Sequence, residues 1–98
     1  MEVDFDDERA ALIETDRAAE TRLPVAVIQT ARQRLTMMRA APDGRALRNW
    51  KSLGFNAAGG ADRPGPAVRI NDRWSMGLRL DDLDSPTKVT VTGLQEQR

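Results

Sequence analysis

The segment VRINDRWSMGLRL, residues 68–80, alternates apolar and polar side chains on both sides of a short polar cluster. Val68 and Ile70 flank Arg69, while Trp74, Met76, Leu78 and Leu80 alternate with Ser75, Gly77 and Arg79. A period of two sends successive side chains to opposite faces, so the segment predicts a β-hairpin with one apolar and one polar face. Cross-strand partners share a face, and that decides the loop length. A two-residue loop at Asn71-Asp72 would pair Ile70 with Arg73 and Arg69 with Trp74. A three-residue loop, Asn71 to Arg73, pairs Ile70 with Trp74, Arg69 with Ser75 and Val68 with Met76. Only the longer loop keeps both faces uniform, and Asn and Asp tolerate the left-handed conformation that such loops use. Arg69, Ser75 and Arg79 are therefore expected on one open face, with Asn71 and Arg73 at its rim.

The same patterning orders the rest of the chain. MEVDF alternates Val3 and Phe5 with acids and predicts a short strand. DDERAALIETDRAAE predicts a helix with Asp6 as N-cap, acids in its first turn, and a narrow apolar face of Leu12 and Ile13. In LPVAVIQTARQRLTMMRAA, Pro24 suits the first helical position. Val27, Ile28, Ala31, Leu35 and Met38 form a continuous stripe, with Arg32, Arg34 and Arg39 off it. One or two helical turns follow around Leu47, with Trp50 as a half-buried lid on the core or a stacking platform between Arg48 and Lys51. The Gly/Pro-rich GFNAAGGADRPGP predicts a loop with a weak edge strand at its start, and LDDLDSPT a turn. KVTVTGL predicts a last strand, and QEQR a polar tail. Helices gathered before a run of strands predict an α+β fold, two helices on one face of a small antiparallel sheet. The hairpin's apolar face would meet the Val27–Met38 stripe.

At 98 residues the chain makes one domain, 1–98, with a single core. It has no apolar run long enough for a membrane span, and its acidic start is unlike a signal peptide, so a cytoplasmic location is expected. Cysteine and histidine are absent, which excludes disulfides, Cys/His zinc sites and imidazole or thiolate catalysis. No metal or cofactor is expected. The net charge is zero, but residues 1–20 hold eight acids and two bases, whereas residues 21–79 hold eleven bases and three acids. A basic middle between acidic ends suits a polyanion, and thirteen of the fifteen bases are arginine, the residue for bidentate phosphate contacts.

RINDRW, with MMRAAPDGRALRNWKSLGF before it and MEVDF at the start, resembles the HigB-like branch of the RelE/ParE superfamily. These are the small toxins of bacterial toxin–antitoxin pairs, also called plasmid-maintenance killer proteins. The likeness runs along residues 1–92 almost without gaps, and the Arg-apolar-Asn-Asp-x-aromatic hairpin is its most specific part. It implies a RelE-like fold and a metal-independent endonuclease that cuts messenger RNA in the ribosomal A site. The implied partners are a helix-turn-helix antitoxin protein, the ribosome and the message. Arg69 matches the family's catalytic arginine, and Lys51, Arg63, Asn71, Arg73, Ser75 and Arg79 are the candidate RNA-binding residues.

Cleavage by the RNA's own 2′-hydroxyl needs a base, cationic donors for the phosphorane and an acid for the leaving oxygen. Here the family's histidine is replaced by Gly54, its lysine by Gly59, its second arginine by Ser75, and its C-terminal Asp-Tyr-His by QEQR. The resemblance therefore leaves three functions open. The chain is an endonuclease with a rewired basic site, a member that binds an antitoxin without cutting RNA, or a protein with another target, either a ParE-like toxin directed at gyrase or an unrelated small binding module.

Overall fold

The computed structural model describes residues 1–57, 65–81 and 88–96. It is a small α+β domain with three α-helices and a five-stranded sheet. The strands are β1 (Glu2–Phe5), β2 (Phe55–Asn56), β3 (Ala67–Arg69), β4 (Trp74–Asp81) and β5 (Lys88–Glu96), in the order β1-β5-β4-β3-β2. The sheet is mixed, which corrects the antiparallel expectation. β1 lies parallel to β5, with Val3 opposite Val89 and Phe5 opposite Val91. No local signal specifies such a pair, because its two strands are joined through the whole domain.

The hairpin has the register that uniform faces demand. Val68 pairs with Met76 and Arg69 with Ser75, and the Ile70 amide donates to the Trp74 carbonyl at 3.0 Å. Its loop works differently from the expectation. Arg22 is the sole non-glycine residue with positive φ among the described residues, so Asn71, Asp72 and Arg73 are not left-handed. Instead the Asn71 Oδ1 accepts from the backbone N–H of both Arg73 and Trp74, each at 2.8 Å. This side-chain acceptor takes over the role of a backbone turn. Asn71→Ala is expected to cost about 1 kcal/mol, a typical net loss for such hydrogen bonds. Asn71→Asp keeps the acceptor and should hold the wild-type urea midpoint; equal losses in both variants would overturn this account.

The long helix α2 (Val25–Ala40) buries the expected stripe of Val27, Ile28, Ala31, Leu35 and Met38 against the sheet's apolar face. Pro24 lies one position earlier than expected, as the N-cap, with its carbonyl accepting from the Ile28 amide. The helix expected over residues 6–20 is reduced to α1 (Glu8–Ala11), and its N-cap is Asp7 rather than Asp6, accepting from the Ala10 amide at 3.0 Å. Thr15 explains the interruption. Its hydroxyl donates to the Leu12 carbonyl and accepts from the Arg17 amide, an alternative to helical bonding that hydroxyl side chains offer. A 3-10 turn (Ala18–Thr21) and left-handed Arg22 complete the passage to α2. Ile13 is still fully buried, so the segment contributes to the core without being helical.

Two bases of the central segment hold this passage in place. Arg32 donates to the carbonyls of Ile13 and Thr15, and Arg39 forms a two-pronged pair with Glu14. α3 (Gly44–Asn49) is capped by Asp43, which accepts from the Ala46 amide, and buries Leu47. Trp50 is half-buried against the core, as a lid. β5 runs on to Glu96, so part of the expected polar tail is strand. Leu80 and Asp81 of the expected LDDLDSPT turn belong to β4, while residues 82–87 and most of the Gly/Pro-rich loop lie outside the described residues. Among the described residues no helix is long and apolar enough to cross a membrane.

Candidate nucleic-acid interface

Three cations from three separate elements line one open cleft at the hairpin end of the domain. They are Arg34 of α2, Lys51 of a 3-10 turn (Lys51–Leu53), and Arg69 of β3; Ser52, Gly54, Ile70 and Asn71 complete the wall. The cleft holds about 290 Å³. Each cation is placed by a buried neighbour. Leu35 and Leu53 are fully buried and hold the backbone that carries Arg34 and Lys51, and Val68 and Ile70 do the same for Arg69.

Arg34 donates from Nε to the Arg69 carbonyl at 3.3 Å, tying α2 to β3 and leaving other guanidinium donors at the cleft. Arg69 pairs with Asp72, and its Nε lies 3.4 Å from the Asn71 carbonyl. The two paired side chains are 66% and 90% exposed, so the bond is weak. Lys51 makes no side-chain hydrogen bond or ion pair among the described residues. The cleft therefore offers guanidinium and ammonium donors to an anion, with one opposing carboxylate.

Gly54, where the resemblance has histidine, serves the backbone. It is left-handed at φ +78° and caps the Lys51–Leu53 turn, and its carbonyl accepts from the Arg69 amide at 2.9 Å. A Cβ added there would stand 3.3 Å from both the Cβ and the carbonyl oxygen of Arg69. The close approach that positions Arg69 leaves little room for a side chain.

The expected site residues separate into groups. Lys51, Arg69 and Asn71 come together in the cleft. Arg73 lies around the hairpin tip in a neighbouring pocket. Ser75 is not exposed: it is 3% accessible, between its register partners Arg69 and Gln95, and its hydroxyl has no hydrogen-bond partner. A short side chain on a central strand is shielded by long ones on either side. Arg79 does share the Arg69 face but is drawn to the opposite end, where it donates to Asp6 at 2.8 Å. There Asp4 likewise engages Lys88, and that hydrogen bond together with the carboxylate charge raises the ammonium pKa. The β1 end of the open face is thus neutralised. Arg63 lies outside the described residues, as does Gly59.

Arg34 also lines the cleft, although the sequence pattern sets it with Arg32 and Arg39 off the stripe. It is half-buried, whereas those two are exposed. Its position three after Ala31 and four before Met38 completes the helical spacing of the buried face, and that was the signal. Comparison of the chain with protein-family models, curated proteins and solved structures found no match.

Proposed function

We propose that the chain is the toxin-type component of a bacterial toxin–antitoxin pair, HigB-like, that engages messenger RNA on the ribosome through the Arg34–Lys51–Arg69 cleft. The observation that carries this reading is the convergence of three cations from three elements on one open cleft. Such donors neutralise RNA phosphates and can stabilise the added charge of a phosphorane. A helix-turn-helix antitoxin is the expected partner, by the same resemblance.

Binding without efficient cutting is the favoured form of this function, and Gly54 is the reason. The residue that would carry an imidazole is a backbone cap pressed against Arg69. The cations remain, but the histidine that would move the proton is missing.

A labelled single-stranded RNA should bind in a salt-sensitive manner. Arg69→Ala and Lys51→Ala should each weaken it by about ten- to a hundredfold, the usual scale for a charged hydrogen bond. Each should also lower the salt slope by roughly one phosphate contact. Induced expression with mapping of messenger 5′ ends should show few A-site cuts. Abundant cuts that vanish in Arg69→Ala would establish a rewired nuclease. Growth arrest with intact messages and damaged DNA would move the target to gyrase. RNA affinity indifferent to both substitutions would remove the cleft from the account.

A further inference from the structure

We propose that the pocket between the start of α2 and the hairpin tip holds a nucleobase against Trp74, next to the phosphate cleft. The inference rests on the RNA-directed reading and adds a base-recognising subsite to it. The pocket holds about 630 Å³, ample for a nucleotide, and Arg22, Arg73, Trp74 and Glu96 are among its walls. Asn71 lines both this pocket and the cation cleft, so the two adjoin around one residue.

Each wall contributes a distinct part of nucleotide recognition. Trp74 is half-buried although its neighbours Ile70 and Met76 are buried, so part of its ring is open. Arg9 holds that ring from its own side, with its guanidinium 5.8 Å from the ring centroid and its Nε bonded to the Thr21 carbonyl. A held, partly open indole is a stacking platform for any base. Arg22 and Arg73 make no side-chain hydrogen bond or ion pair among the described residues, and flank the ring as phosphate donors. The Asn71 Oδ1 is already used by two backbone amides, so its amide nitrogen is left to donate to a base. Glu96, opposite Trp74 in register, supplies the acceptor for a base N–H. A phosphate-only site would need neither the ring nor the carboxylate.

The test follows the two indole N–H resonances of the ¹⁵N-labelled protein, assigned by the loss of one in Trp74→Phe. A six-nucleotide single-stranded RNA and its abasic counterpart are titrated in parallel, with affinity read by fluorescence anisotropy. The Trp74 resonance should shift with the base-bearing RNA and not with the abasic one, which should bind about tenfold more weakly. Arg22→Gln and Arg73→Gln should each weaken binding, while Trp74→Phe, which retains a ring, should bind nearly as the wild type.

Equal affinity for the two RNAs with an unmoved Trp74 resonance would overturn the inference and leave the cation cleft standing. A Trp74 shift unaffected by Arg69→Ala and Lys51→Ala would support the pocket and remove the cleft. Binding of neither RNA would overturn both.

Discussion

Replacing Leu35 with alanine is expected to lower the unfolding free energy by about 2–5 kcal/mol, the range for truncating a buried leucine. Leu35 is completely inaccessible and lies at the centre of the α2 stripe that packs on the sheet. The substitution removes apolar surface from the core and leaves a cavity that the surrounding helix and strands fill only in part. For a domain of this size each kcal/mol lowers the melting temperature by about 4–8 °C, so the change is large. Val25, on the same helix but 69% exposed, is the control. Val25→Ala should stay within about 0.5 kcal/mol of the wild type. Urea midpoints of the two variants decide the matter, and similar losses in both would mean that α2 does not pack as described.

Gly54→His, which writes in the residue that the resemblance leads one to expect, should damage the protein rather than restore a nuclease. A left-handed backbone costs a residue with a Cβ about 1–3 kcal/mol. The new Cβ would also crowd Arg69 at 3.3 Å, from its side chain and its carbonyl together. Relief requires Arg69 to give by a few tenths of an ångström, which disturbs the close backbone approach that positions it in the cleft. The expected result is a lower urea midpoint, weaker RNA binding and no gain in cleavage. Faster cleavage at unchanged stability would show instead that the cleft lacks only an imidazole.

What was legible in the sequence followed from short-range rules. The hairpin register came from the requirement that each face be uniform, and the α2 stripe from its helical spacing; both rules act on residues close in the chain. The edge strand at Phe55 and the lid position of Trp50 were legible for the same reason. Three features were not. The parallel β1–β5 pair depends on residues from opposite ends of the chain. The interruption after α1 depends on one hydroxyl competing with the helix ladder, against a pattern that otherwise favours helix. The burial of Ser75 depends on the lengths of its cross-strand neighbours, which alternation does not encode. The candidate site was legible in its cations and only partly in its geometry. Arg69, Lys51 and Asn71 converge, Arg34 joins them from α2, and Arg79 is taken by Asp6.

The β1–β5 pair also dictates an order of events. Phe5 and Val91 are 86 positions apart in sequence, yet they face each other in the sheet. During synthesis β1 emerges first and has no partner until β5 has left the ribosome, so for most of that time its edge-capable backbone is solvated. Joining the two closes a loop of more than eighty residues, and such distant pairings are the slow part of folding. The helices and the β3–β4 hairpin, made of local contacts, are expected to form ahead of it. The hairpin end that carries the cations is therefore assembled early, and the acidic strand that neutralises the far end of the face is added last. In reverse, fraying of β5 releases β1 with it and frees Arg79 from Asp6, so one opening event uncovers both a sheet edge and a new positive charge.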